Sequence, residues 1–288
     1  MSKIVLHIGF PRTATTWLQS NFHSSEEVIY LGIFNPRSMY KLRWQFESLD
    51  TVIRAIKGKI EHCDIDPVEL EKDFENFVKT LPEYRQEQTI VMSNETISRP
   101  WSQNPNWRSD FVATVSRYFP TAEILITTRT QAGIASSLYR GYWYGGGRQT
   151  MREWLESGGG SYDVSFWSRW DISSLYEALA EFYENRMVVI PFEYLKTNPG
   201  AYYSEIANLT GMGQYVNDHS KVMNQSVKKN PDGLLVNLIK KLSRKVDDEM
   251  GEPDLDPETM EFIKSRFAQG NAKLAAATGI DLKSLGYY

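Results

Sequence analysis

Residues 4–19, IVLHIGFPRTATTWLQ, concentrate the residue types that hold an anion. An apolar run ends at Gly9, Pro11 stiffens a turn, and Arg12, Thr13, Thr15 and Thr16 lead into a helical pattern. A strand that turns into a helix N-terminus offers backbone N–H groups to a phosphate-like ligand. The nucleoside-triphosphate form of this device is GxxxxGK[ST], whose lysine works beside Mg²⁺. Here Ala14 takes the place of the second glycine, Thr15 that of the lysine, and the nearby cation is Arg12. One guanidinium ahead of the helix suits a smaller anion handled without metal, such as a phosphosulfate. Gly9 allows close approach, and the hydroxyls of Thr13, Thr15 and Thr16 are expected in one concavity.

The elements that would position this loop recur along the chain. KIVLHIG (3–9), QTIVMS (88–93), AEILITT (122–128) and RMVVIP (186–191) are near-continuous apolar runs, as strands covered on both faces are. Between them lie helical patterns at 67–81, 109–119 and 171–185, and after the last strand the pattern turns helical. The alternation predicts an α/β fold of three layers with a mostly parallel central sheet and a helical C-terminal part. With no linker, repeat or low-complexity tract, residues 1–288 read as one domain. Two GGG patches, 145–147 and 158–160, suggest a mobile lid over 139–168.

Composition narrows the classes. Hydrophobic residues make up 41% and charged residues 24%, as in ordinary globular proteins. A net charge of −4 argues against a nucleic-acid binder. No run of 18 apolar residues predicts a membrane span, and the N-terminus does not read as a signal peptide. The single cysteine, Cys63, fits a reducing compartment, so a cytoplasmic location is expected. His62, Cys63 and Asp64 adjoin one another, but without a second cluster they predict a turn rather than a metal site. His7, inside the first strand, is expected to be buried and hydrogen-bonded; His23 and His219 are expected to be solvated. The basic run IKKLSRK (239–245) reads as the solvated side of a helix.

The loop GFPRTATTWLQ resembles the 5′-phosphosulfate loop of sulfotransferases that use 3′-phosphoadenosine-5′-phosphosulfate (PAPS), commonly Pro-Lys-Ser/Thr-Gly-Thr-Thr-x-Leu. The bacterial carbohydrate-type branch is the most similar. The resemblance puts Arg12 on the family's catalytic lysine, with Pro11 before it. It puts Thr13, Ala14, Thr15 and Thr16 on the cradle, and Trp17 where it can flank the adenine. Arginine in place of lysine is shared with the protein-tyrosine branch; it clamps an anion but is a poor proton donor. Alanine in place of glycine requires an ordinary backbone conformation at Ala14. The resemblance further implies a 3′-phosphate element: Arg129 at a strand end and Ser137 eight residues later on the following helix, with Ser136 as its near neighbour. NQSVKKNP (224–231) is similar to a late loop that brings Lys228 and Lys229 toward the same phosphate. VVIPFEYLKTNPGAYYSEIANLTGM (188–212) resembles the family's strand–turn–helix signature, and FAQGNAKLAAATGIDLKSLGY a terminal docking helix.

Transfer to an acceptor oxygen needs a base. QTIVMSNETIS (88–98) ends a strand just before Glu95, and a glutamate there sits on the rim where a raised pKa makes a general base. Tyr139, Tyr142, Trp143 and Tyr144 are candidates for stacking on a sugar or aromatic acceptor, or are helix core. The expected reaction moves a sulfuryl group from PAPS to an acceptor hydroxyl without metal and releases adenosine-3′,5′-bisphosphate (PAP). Sugar, glycolipid, phenol and small alcohol all fit as acceptors. A P-loop small-molecule kinase and a catalytically silent nucleotide-binding protein are the competing readings; Mg²⁺-dependent ATP binding would favour the first.

Overall fold

The computed structural model describes residues 2–10, 12–32, 47–56, 63–81, 84, 88–93, 106–158, 166–213 and 255–288. Five strands, β1 (Ile4–Gly9), β2 (Val28–Gly32), β3 (Thr89–Ser93), β4 (Glu123–Thr128) and β5 (Met187–Pro191), form one sheet in the order β2-β3-β1-β4-β5. All four pairings are parallel. The four expected strands are present, and β2 adds an edge strand that the sequence reading missed.

Strand alternation divides the core. Val5 faces a thin layer made by α1 (Thr15–Ser24) and α10 (Pro199–Thr210), through Leu18, Phe22, Tyr202 and Ile206. Ile4, Leu6 and Ile8 face a thicker layer. In chain order that layer comprises α2 (Glu47–Ile56), α3 (Pro67–Lys79), α4 (Trp107–Tyr118), α5 (Gln131–Tyr144), α6 (Met151–Glu156), α8 (Ile172–Tyr183) and α11 (Pro257–Thr278). Short helices α7 (Phe166–Arg169) and α9 (Tyr194–Thr197) complete the set. Leu18 and Phe22, one helical turn apart, anchor α1 with about 1.5–3 kcal/mol of apolar burial each.

The functional consequence is topological. β1 feeds α1 on the thin face, whereas β3 and β4 feed α4 and α5 on the thick face. Adjacent strands whose helices depart to opposite faces open a crevice at their carboxyl ends. Gly9, Ser93 and Thr128 mark that edge. Among the described residues no helix is long and apolar enough to cross a membrane.

Candidate active site

The turn from β1 into α1 depends on Gly9. A Cβ there would lie 2.1 Å from Thr15 Cγ2, so it is the Thr15 methyl that makes the close approach. Arg12 and Ala14 both take positive φ, at 69° and 60°. The ordinary backbone expected at Ala14 is therefore overturned. Its neighbours hold it: Thr13 is tied inward, as described below, and the Ala14 carbonyl accepts the Leu18 N–H at 3.0 Å to start the helix. Keeping a glycine-like turn with an alanine costs about 1 kcal/mol. α1 has no side-chain cap and no acidic residue in its first turn, so nothing in that turn opposes an anion at its positive end.

The three loop threonines do not share one concavity. Thr13 is fully buried; its hydroxyl donates to the Phe10 carbonyl at 2.6 Å and lies 3.1 Å from Thr127 Oγ1. Thr15 is buried as well, and of the three only Thr16 is exposed. Arg12 is exposed, and its Nη2 lies 3.7 Å from where a Cβ on Gly141 would be, which brings it against α5.

Beneath the loop runs a chain of uncharged groups. His7 pairs with Ser93 in register; its Nδ1 is 2.7 Å from Ser93 Oγ and its Nε2 is 3.0 Å from Thr127 Oγ1. Gln19 Nε2 donates to Ser93 Oγ at 3.0 Å. The ends of this chain set its proton directions. Because Thr13 donates to a carbonyl, it accepts from Thr127, and Thr127 in turn accepts from His7 Nε2–H. His7 Nδ1 then accepts from Ser93, which accepts from Gln19, so one tautomer satisfies every hydroxyl. Burial keeps the imidazole neutral by lowering its pKa to about 3. The expectation of a buried, hydrogen-bonded His7 holds, and the network ties together the ends of β1, β3 and β4.

The second half of the site follows β4. Arg129 Nη1 donates to the Arg12 carbonyl at 3.1 Å, and its guanidinium lies 4.7 Å over the Phe192 ring. Burial lowers the Arg129 pKa, while Glu193 and Tyr287 act in the opposite direction. Thr130 caps α5, with Oγ1 accepting the Gly133 N–H at 3.1 Å. A Cβ on Gly133 would lie 2.6 Å from that hydroxyl and 2.9 Å from Arg129 Nε, so glycine lets cap and arginine coexist. Ser136 is buried and donates to the Ala132 carbonyl at 2.9 Å, which occupies it within the fold. Ser137, the next residue, is half-buried. Trp17 is half-buried, with the Tyr202 ring tilted against it and Tyr203 meeting it edge-on.

The aromatic candidates divide. Tyr139 is buried and donates to the Gln149 carbonyl at 2.9 Å. Tyr142 donates to Gln149 Oε1 and accepts from the N–H groups of Arg148 and Gln149. These two phenols close the 145–150 turn and pack with Trp154. Trp143 is half-buried and Tyr144 exposed. Pro11, Glu95, Lys228 and Lys229 lie outside the described residues, as do His62, His219 and the 239–245 run. Sequence reasoning missed Ser93 and Thr127 as partners of His7, Gln19 as a partner of Ser93, and Glu193 as a partner of Thr130. The hydroxyl residues that close the apolar runs of β3 and β4 were the available signal. Among the described residues no group of three His, Cys, Asp or Glu side chains is placed to hold a metal.

A sulfotransferase family model matches residues 5–214. The fold is similar to that of a sulfotransferase from Alicyclobacillus acidocaldarius, at 13% identity over 99% of both chains with a TM-score of 0.56. Mouse sulfotransferase SULT7A1, complexed with PAP, matches at 14% identity over 97% of this chain and 89% of its own, with a TM-score of 0.40. No curated protein matches in sequence.

Proposed function

The chain belongs to the sulfotransferase family, and from that premise we propose that it uses PAPS to sulfate a hydroxyl on a carbohydrate, glycolipid or small molecule. The observation that carries this reading is the junction of the two anion elements: Arg129, at the end of β4, donates to the Arg12 carbonyl in the β1–α1 loop at 3.1 Å. That junction supports one ligand with two anionic groups. The donor set fits as well, being two guanidiniums, a helix N-terminus without acidic residues, and the Thr16 and Ser137 hydroxyls.

When bound, PAPS supplies the sulfuryl group on a 5′-phosphate that departs as part of PAP. Arg12 and the amides of residues 14–16 stabilise negative charge at that end. Arginine keeps its proton at any working pH, so this stabilisation is electrostatic. Arg129 and Ser137 anchor the 3′-phosphate, with Lys228 and Lys229 as further candidate ligands, and Trp17 flanks the base. Glu95, two residues beyond the end of β3, takes the acceptor proton. Positioning and electrostatics carry most of the rate enhancement.

Calorimetric titration with PAP, and separately with ATP plus Mg²⁺, tests the cofactor class in wild type and Arg129→Ala. Metal-free PAP binding that Arg129→Ala weakens by about a hundredfold is expected, the effect of removing a charged partner. Binding of ATP with Mg²⁺ alone would replace this reading with a kinase.

A further inference from the structure

Residues 279–288 fold back from α11 through Gly279 at φ 72°, and Gly286 at φ 82° turns the chain again. Tyr287 is 1% exposed. Its backbone is fastened on both sides: the N–H donates to the Leu282 carbonyl at 3.1 Å, and the carbonyl accepts from Asn271 Nδ2 at 3.0 Å. Asn271 in turn exchanges two hydrogen bonds, each of 3.0 Å, with Gln131, the first residue of α5. The backbone of Tyr287 is thus tied to α11, and through Asn271 to the start of α5.

Its hydroxyl meets a carboxylate. Tyr287 donates to Glu193 Oε2 at 3.1 Å, and the Thr130 N–H donates to Glu193 Oε1 at 3.1 Å. Thr130 adjoins Arg129, and Phe192, beside Glu193, lies under the Arg129 guanidinium. Yet Glu193 makes no ion pair with Arg129 within 4.0 Å. Each carboxylate oxygen has another donor, so Glu193 supports the charge of Arg129 from nearby without occupying its N–H groups. Tyr183, also buried, instead donates to the Phe119 backbone carbonyl at 2.9 Å.

Resting on the PAPS reading above, we propose that Tyr287 is a positioning residue of the nucleotide site: its hydroxyl holds Glu193 away from Arg129 and leaves that guanidinium available to the 3′-phosphate. Removing the hydroxyl frees Oε2 to compete with the ligand for Arg129. Burial raises the Tyr287 pKa well above its ordinary value, so the phenol remains a donor throughout the working pH range.

The test compares PAP with adenosine-5′-monophosphate, which lacks the 3′-phosphate, by calorimetry on wild type and Tyr287→Phe. Tyr287→Phe should weaken PAP about tenfold and leave the monophosphate unchanged, the size expected when one charged hydrogen-bond partner is diverted. In a Glu193→Gln background the same substitution should change neither, because the competing carboxylate is gone. Equal weakening of both ligands, or no weakening of either, would overturn the proposal. The affinity ratio is read on folded protein, so a loss of folded fraction lowers both stoichiometries and leaves the ratio intact. Wild type that fails to prefer PAP over the monophosphate would sink the nucleotide reading itself. Wild-type preference retained in Tyr287→Phe would sink this inference alone.

Discussion

The two ends of the candidate site are held in contrasting ways. Under the β1–α1 loop the supports are Gln19, Ser93, His7, Thr127 and Thr13, a buried chain with no formal charge. Under Arg129 the supports are a carboxylate, a phenol and an aromatic ring. The difference follows from what each end is proposed to do. Where charge develops during transfer, a nearby carboxylate would cancel the field of Arg12 and the helix N-terminus. A neutral network fixes the loop without that penalty. At the anchoring end the charge does not change during the reaction, and a nearby carboxylate favours the charged form of a partly buried guanidinium.

Breaking the loop end at Arg12 should have the largest effect. Arg12→Ala is expected to lower sulfuryl transfer from labelled PAPS by about a thousandfold, as loss of a transition-state charge partner does. Single-turnover rates close to wild type would remove Arg12 from the mechanism. Next comes the neutral support. His7→Phe leaves the Ser93 and Thr127 hydroxyls facing an apolar ring and should cost about 3 kcal/mol of stability in urea unfolding. A cost under about 1 kcal/mol, the level of an exposed contact, would mean that the network is incidental.

Acid sharpens the same contrast. His7 has its pKa depressed from 6.5 to about 3 by burial, so between those values the unfolded chain binds a proton that the folded chain does not. Its contribution is fully present above pH 6.5 and is lost as pH falls, by about 1.4 kcal/mol per unit. His7→Gln should flatten that part of the stability profile; an unchanged slope would place the acid sensitivity elsewhere. The smallest effect is at Ala14. Ala14→Gly relieves the positive φ but adds chain entropy, for a net gain of about 0.5 kcal/mol. A lower melting temperature would show that the turn is not strained.

Much of the frame was legible because its signals are local. Continuous apolar runs ending in Gly9, Ser93 and Thr128 marked three central strands, and the Pro-Arg-Thr sequence marked the break between β1 and α1. β2 escaped notice because VIYLG is short and follows a helix closely, although its β-branched and aromatic content was a usable signal. The supports were not legible, since His7, Ser93 and Thr127 meet only through strand order, which hydropathy does not encode. Ala14 was misread because residue type argued for an ordinary φ while the fixed ends of the loop required the other sign. Tyr139 and Tyr142 were left open between acceptor stacking and helix core, because helical spacing does not show which side of a helix is covered.

The most direct test of the two-ended site is a crystal structure with PAP bound. The account predicts the 5′-phosphate at the amides of residues 14–16 beside Arg12, and the 3′-phosphate on Arg129 and Ser137. A nucleotide bound elsewhere, or with its two phosphates exchanged, would contradict it.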